Sequence, residues 1–531
     1  MKTVVLFFNG NPVEVPEGTK ILKAAEMLGL AIPTLCYQKD LEFFTSCMIC
    51  LVHETVSDSL IPACSAPAAE GMRIETDSER VRQARRDALE FLLSEHAGDC
   101  EAPCRRGCPA GMDIPEMIRQ IREGRFKEAV LTVLKDIAIP AVLGRICPAP
   151  CENACKRKPY DEALSICSLK RFAADWGLDP DKDVPLPSPE ETGKKTAVVG
   201  AGPAGLAASY YLRLFGHGCD LFDRKTQPGG ALRYSVPEDR LPRPVLDGEI
   251  KRIFRLGVRF IPERILGENL RLEGLRKEYD AVVLAVGEVG PDFARSLGLE
   301  GTARGLTVDR KSFASNLIGV FAGGNALSPS KMAVRAAAHG KSIAESVHVF
   351  LGGREKGDRG CSFNSRTGRL EKQEYEEMLK EAKGTARVEP AGGFEAGFLP
   401  EEALEEAARC LGCDCRKMDS CRLRYYADLY GVDSRRVARW ERAKVKKVIQ
   451  HERVIYQPGK CIKCGLCVRI TEKSEEKYGL AFVGRGYGVR VEAPFSEPFG
   501  SGIAGTAEMC VASCPTAALS WLHRVEKTNK N

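Results

Sequence analysis

KTAVVGAGPAGLAASYYLRLFGHGCDLFDRKTQPGG, residues 195–230, decides how the chain is read. The apolar run at residues 196–199 has the β-branched content of a buried parallel strand. GAGPAG follows at once, with Gly200, Gly202 and Gly205 in G-x-G-x-x-G register. A helical apolar pattern covers residues 206–215, and a second apolar stretch ends at Asp223. In this layout the first glycine permits a tight turn, the second lets backbone approach a pyrophosphate, and the third lets helix and strand pack closely. The pyrophosphate sits on the helix N-terminus, and an acid about 20 residues on takes the ribose hydroxyls. Asp223 stands in that place. The spacing predicts a dinucleotide site at Gly200, Gly202, Gly205 and Asp223, and Pro203, Ala204, Arg224, Gly229, Gly230 and Leu232 beside them are further candidate contacts. The bland alternative is a glycine-rich turn.

A chain of 531 residues is too long for one core, so several domains are expected. Hydrophobic residues at 44% and aromatics at 7% fit a globular protein. No run of about 18 apolar residues occurs, so direct membrane insertion is not expected. The N-terminus, MKTVVLFFNGNPVEVPEG, turns polar too early for a secretory signal, so a cytoplasmic location is expected. A net charge of +6 is nearly balanced and does not call for nucleic acid. The densest basic run, residues 435–447, reads as a solvated helix face. Cysteine is the abnormal count, at 22, and most of it is clustered; only Cys219 and Cys361 stand alone. Without a secretory signal, such clusters read as metal sites, not a disulfide framework.

The chain opens as strands around Asn9-Gly10, a hairpin signal, followed by a helix at residues 20–28. Cys36, Cys47, Cys50 and Cys64 then run C-x10-C-x2-C-x13-C. Plant-type [2Fe–2S] ferredoxins share this order of ligands with a shorter first gap. Zinc, the alternative, usually takes two close pairs, and here only one pair is close. The segment resembles the N-terminal ferredoxin domain of the complex I large subunit and of iron-only hydrogenases.

Residues 78–93 read as a charged amphipathic helix, and residues 114–124 and 125–135 as two more. His96, Cys100, Cys104 and Cys108 recur every four residues, and GRICPAPCENAC with its sequel supplies Cys147, Cys151, Cys155 and Cys167. CPAG, GRICPAPCENAC and LKRF resemble the N-terminal domain of the glutamate synthase small subunit and dihydropyrimidine dehydrogenase. That resemblance implies two [4Fe–4S] clusters held by interleaved cysteines. One would take Cys100, Cys104 and Cys155, with His96 as candidate fourth ligand where the family has a cysteine. The other would take Cys108, Cys147 and Cys151, with Cys167 as candidate fourth ligand near Lys170. His96 could instead be a helix-end histidine without metal. Residues 180–194 are a Pro-rich linker.

Past the glycine turn, residues 279–287 read as a strand ending in Val286 and Gly287, and residues 319–326 as another carrying Gly323, Gly324 and Asn325. A helix follows at residues 332–350. These resemble the FAD contacts of the glutamate synthase family, with Asn325 where that family has Asp. The family places a nicotinamide-binding Rossmann domain between the two strands. Here residues 288–318 hold no strand–GxGxxG–helix unit, and GSGIAG at residues 500–505 opens no helix. The resemblance therefore implies FAD without an NADPH domain.

Residues 371–383 and a stretch from 401 read as charged helices. Cys410, Cys413, Cys415 and Cys421, C-x2-C-x-C-x5-C, suit one [4Fe–4S] cluster, one zinc or a structural knot. Cys461, Cys464 and Cys467 form C-x2-C-x2-C, and Cys514-Pro515 completes the bacterial-ferredoxin ligand set. The second cluster of such ferredoxins is lost: Thr471, Ala504 and Ala507 replace its cysteines, leaving Cys510 unliganded. Residues 479–495 resemble the complex I large subunit and iron-only hydrogenases, and the chain ends before any hydrogenase active-site domain is expected.

The expected architecture is multidomain α/β and α+β. It comprises a β-grasp [2Fe–2S] ferredoxin (1–78), a helical double-cluster domain (79–190), a Rossmann-like FAD domain (191–352), a linker with a four-cysteine motif (353–450) and a bacterial-ferredoxin-like domain (451–531). Expected cofactors are FAD, one [2Fe–2S] and three to four [4Fe–4S] clusters. No acid–base pair or nucleophile constellation stands out, so no catalytic residue is assigned. The resemblances imply an electron-transfer subunit of a cytoplasmic oxidoreductase complex in an anaerobe. Its partners would be NADH/FMN-binding, hydrogenase or formate dehydrogenase subunits. The alternatives are a stand-alone NAD(P)H-dependent oxidoreductase of the glutamate synthase small-subunit type and a zinc-rich interaction scaffold.

Overall fold

The computed structural model describes residues 2–182, 184–186, 189–353, 361–384, 386–437 and 442–522. Parts of the expected linker (183, 187–188), the connector (354–360) and the basic run (438–441) lie outside the described residues. The chain divides into two compact units. One takes residues 1–102, 360–381 and 413–531; the other takes 103–359 and 382–412.

In the first unit, β1 (Thr3–Phe8) and β2 (Asn11–Pro16) form the hairpin that Asn9-Gly10 signals, with both turn residues at positive φ. With β3 (Leu51–Glu54), β4 (Ser59–Pro62) and β5 (Arg73–Glu75) they make one sheet in the order β2-β1-β5-β3-β4. β1 and β5 run parallel and the other pairs antiparallel. The helix Ile21–Met27 buries Ile21, Leu22, Ala24 and Ala25 in a core with Leu6, Phe8, Val52 and Ile74. Toward the C-terminus, Val454–Tyr456 pairs antiparallel with Leu519–Trp521. The helices Leu466–Lys473 and Ala507–Ser513 share a core with that ribbon through Ile470, Val511 and Leu519.

The reading of residues 435–447 as a solvated helix face holds at Arg435 and Arg436, which are exposed, and fails at Arg442 and Lys447. Among the described residues the helix there covers Ser434–Val437. Beyond it, Arg442 forks onto the Glu374 carboxylate at 2.6 and 2.9 Å, and Lys447 is buried on Glu381 at 2.6 Å. The acids of the helix Lys372–Leu379 and Glu381 after it draw Arg442 and Lys447 inward, so these two charges are paired and largely removed from solvent, while Lys444 stays exposed.

In the second unit, β6 (Lys195–Val199), β7 (Gly218–Phe222), β8 (Val258–Ile261), β9 (Ala281–Leu284) and the strand Val320–Ala322 form an all-parallel sheet. The order is Val320–Ala322, β9, β6, β7, β8. β9 pairs directly with Val320–Ala322. Residues 285–319 between them hold only the helix Pro291–Ser296 and a two-stranded turn, Gly301–Thr302 with Gly305–Leu306. The helices Pro203–Leu214 and Ala333–Phe350 pack so tightly that a Cβ on Gly340 would lie 2.2 Å from the Ala204 carbonyl oxygen.

The helices Ile114–Arg122, Phe126–Leu134, Pro140–Ile146 and Ile166–Trp176 share a hydrophobic core with this sheet. A single buried carboxylate joins the two layers. Glu249, on the helix Arg243–Phe254, accepts hydrogen bonds from the backbone N–H groups of Ala141 (3.0 Å) and Val142 (2.9 Å) and from Arg252 (2.7 Å). The first-turn N–H groups of Pro140–Ile146 have no partner inside their own helix, so an acid from a neighbouring helix satisfies them. Burial pushes the Glu249 pKa up, and Arg252 with the two backbone donors opposes the shift. Glu249→Gln, which leaves Arg252 buried without its counter-charge, is expected to cost about 3 kcal/mol. Chemical denaturation followed by circular dichroism would measure the loss.

Candidate cofactor and cysteine sites

The glycine turn is built by sterics. Gly200 ends β6 at φ +106°, and a Cβ there would lie 2.2 Å from the Ala285 carbonyl oxygen. A Cβ on Gly205 would lie 1.8 Å from the Gly200 carbonyl oxygen. Gly202 is different: the nearest atom to its hypothetical Cβ is Gly230 Cα at 4.0 Å, so the space over it is open. Pro203 begins the helix, and Ala204 and Leu232 are buried beneath the turn. Gly229 N–H donates to the Ala201 carbonyl at 2.8 Å and brings the second glycine pair against the first. Asp223 accepts from Ala201 N–H at 2.6 Å and from Lys225 N–H at 2.8 Å, so its carboxylate clasps the turn itself. Arg224 is exposed.

Val286 and Gly287 follow β9 and are half-buried, and Gly323 and Gly324 follow the neighbouring strand. Asn325 donates to Glu288 (3.1 Å) and to the Ser330 carbonyl (3.0 Å), and Gly324 N–H donates to His339 Nδ1 at 3.2 Å. Beside them lies a cavity of about 480 Å³ lined by Asn325, Arg310, Arg335 and His339. The two arginines and His339 carry no sequence motif, and only the fold brings them to one wall.

Cys36, Cys47, Cys50 and Cys64 are all buried. A hydrogen bond from Cys47 lowers the Cys36 pKa to about 5 against the penalty of burial, and one from Cys50 lowers that of Cys64 to about 7. Cys47 and Cys50 are raised correspondingly. Cys461, Cys464, Cys467 and Cys514 line a small cavity of about 20 Å³ with Tyr456 and Leu466. Backbone N–H groups of Lys463 and Leu519 point at the sulfurs of Cys461 (3.4 Å) and Cys514 (3.5 Å). Cys510 is buried, with its thiol toward Thr506 and the Cys467 carbonyl.

In the second unit Cys108, Cys147, Cys151 and Cys167 line a small cavity of about 20 Å³ together with Lys170. Cys167 lowers the Cys147 pKa to about 6 by a hydrogen bond, and burial pushes Cys151 up to about 12. Lys170 is buried and donates to the Leu143 carbonyl at 3.1 Å. Burial works against its charge, but Cys167, Cys147, Cys151 and Cys108 outweigh burial and raise its pKa. Cys104, Cys155 and Cys410 pack against the core of this same unit.

His96, Cys100, Cys413, Cys415 and Cys421 belong to the first unit. The His96 Nδ1 atom is buried and finds no hydrogen-bond partner among the described residues. Burial, then Lys460, lowers its pKa to about 3. Among the described residues no three His, Cys, Asp or Glu side chains close on a point suited to a single metal ion.

Parts of this chain are similar to iron–sulfur and flavin-type oxidoreductase subunits. Residues 1–79 match the model of a 2Fe-2S iron-sulfur cluster binding domain, and residues 79–181 that of dihydropyrimidine dehydrogenase domain II with its 4Fe-4S cluster. Residues 198–261 match an NAD(P)-binding Rossmann-like domain. The NADPH-Fe(3+) oxidoreductase subunit beta of Geobacter sulfurreducens is 32% identical over 301 residues, 54% of this chain and 42% of that protein. The NADP(+)-dependent formate dehydrogenase subunit beta of Moorella thermoacetica is 38% identical over 207 residues, 35% of this chain and 29% of that protein. The glutamate synthase [NADPH] small chain of Bacillus subtilis is 36% identical over 181 residues, 34% of this chain and 37% of that protein. The chain thus spans less than half the length of each of these relatives.

The open space over Gly202 separates binding from folding. Gly202→Ala is expected to leave the melting temperature unchanged and to weaken nucleotide retention by about tenfold or more, since backbone must approach the pyrophosphate there. Gly205→Ala, which drives a methyl into the Gly200 carbonyl, is expected to unfold the domain. Thermal melts together with the nucleotide released per chain would check both.

Proposed function

We propose that the chain is an electron-transfer subunit of a larger cytoplasmic oxidoreductase complex. It would bind FAD on the Gly200–Gly205 turn and hold a [2Fe–2S] cluster through Cys36, Cys47, Cys50 and Cys64. Cys108, Cys147, Cys151 and Cys167 would hold one [4Fe–4S] cluster, and Cys461, Cys464, Cys467 and Cys514 another. When bound, a flavin exchanges electrons in pairs or singly and a cluster singly, the chemistry a relay needs.

The chain's own residues fit these groups. The open backbone at Gly202 and the start of the helix Pro203–Leu214 suit a pyrophosphate. Four cysteines around one cavity supply the all-sulfur donor set that a cluster takes. Lys170 places a buried cation where bound thiolates gather negative charge. Lys170→Met is expected to move the midpoint potential of that site negative, because a positive charge beside a cluster favours its reduced form. Potentiometry monitored by electron paramagnetic resonance (EPR) would read the shift.

One observation carries the choice of a relay over a self-sufficient reductase. β9 pairs directly with Val320–Ala322, and the residues between them form only short elements. A nicotinamide donor would then have to be handled by a partner subunit. The second reading, a stand-alone NAD(P)H-dependent oxidoreductase, draws on the Rossmann-like match at residues 198–261 and on the nicotinamide-linked names of the relatives.

Anaerobic mixing of the purified holoprotein with NADH or NADPH separates the two. The relay reading expects FAD as the released nucleotide and no bleaching of the visible spectrum by either donor, with full bleaching by dithionite. Bleaching by NADH or NADPH without a partner favours the reductase and overturns the relay.

A further inference from the structure

We propose that Cys100, Cys361, Cys415 and Cys421 hold one further [4Fe–4S] cluster in the first unit, a grouping that no spacing pattern in the sequence contains. The assignment rests on the iron–sulfur reading of the chain and adds the ligand set.

Three separate segments bring these cysteines together. Cys415 N–H donates to the Cys100 carbonyl at 3.1 Å, which fixes the two backbones side by side. The segment after Cys361 wraps Cys100: Cys100 N–H donates to the Ser365 carbonyl (3.3 Å), and Ser365 N–H points back at the Cys100 sulfur (3.4 Å). Arg424 closes the ring. Its carbonyl accepts from the Cys361 thiol at 3.1 Å, and its N–H points at the Cys421 sulfur at 3.4 Å.

Two further features mark a cluster shell. Backbone N–H groups aim at the sulfurs of Cys100 and Cys421, as they do at Cys461 and Cys514 in the ferredoxin-type site. Such bonds to sulfur set cluster potentials. A buried cation is also present. The Arg424 guanidinium donates to the carbonyls of Phe363 (2.9 Å), Cys361 (2.8 Å) and Met418 (3.1 Å) and to Glu101 (2.8 Å). Four thiolates on a [4Fe–4S] core leave net negative charge, and Arg424 is positioned to offset it without solvent. The floor is apolar, with Phe363, Leu423 and Ala427 in one core and Cys361 and Cys421 packed against it. Cys410, which the sequence pattern joins to Cys415 and Cys421, packs in the core of the second unit instead.

Non-additivity of iron loss tests the grouping. The full chain and the variants Cys100→Ala, Cys361→Ala, Cys421→Ala and Cys100→Ala/Cys421→Ala are reconstituted anaerobically with ferrous iron and sulfide. Each single variant is expected to lose about four irons, and the double variant to lose no more, since one cluster is involved. A double variant that loses about eight places Cys100 and Cys421 on different clusters and overturns the grouping. A Cys361→Ala variant with a full iron count removes Cys361 from the set. Wild-type protein that takes up no iron fails the iron–sulfur reading itself, which distinguishes the two failures. Retention of the [2Fe–2S] EPR signal shows that a variant has folded. Where a variant does not fold, anomalous scattering at the iron edge from wild-type crystals decides. One peak bonded to both Cys100 and Cys421 is expected, and separate peaks overturn it.

Discussion

The Glu249 carboxylate is the charge on which the second unit depends. It lies wholly inside, where an unpaired carboxylate would cost several kcal/mol. Two backbone N–H groups and Arg252 make that burial tolerable. The arrangement fixes the helix Pro140–Ile146 against the sheet, and everything downstream inherits its position. Leu143, on that helix, offers the carbonyl that anchors Lys170, and Cys147 follows directly on its end. Glycine turn and cysteine-lined cavity are thus tied together by this buried carboxylate, alongside the shared apolar core and the Lys341–Asp136 ion pair.

The first unit solves a different problem, how to place many sulfurs in a dry interior. Cys36, Cys47 and Cys464 share one apolar cluster with Leu35, Ile462 and Leu466, so the loop of the N-terminal sheet and the C-terminal cysteine run meet in common packing. Phe44 stacks on Phe482 at 5.3 Å between ring centroids and seals that junction. Two parts of the chain far apart in sequence are therefore one packed body, as electron exchange between their sites would require.

What could be read from the sequence follows from the range of the forces involved. The glycine turn was legible because backbone sterics act over a few residues, and Gly200 and Gly205 have no alternative in their places. The Asn9-Gly10 hairpin and the C-x2-C-x2-C run were legible for the same reason. Cys167 beside Cys108, Cys147 and Cys151 was within reach because a family resemblance supplied the pairing of distant segments. Cys100 beside Cys415 and Cys421 was not, since their proximity depends on how whole segments fold back and on no local pattern. Charge misled in the basic run: Lys447 looks solvated in sequence and is buried on Glu381. Glu249 gave no signal either, because a helix pattern does not say which of its acids turns inward.

Asp223 carries a last consequence. Its carboxylate accepts from Ala201 and Lys225, so the turn that would cradle a pyrophosphate is already braced from beneath. A loop frozen in advance loses little conformational freedom when a ligand arrives. Affinity at this turn would then come from rigidity present beforehand more than from contacts formed on arrival, and an incoming nucleotide would meet a finished mould.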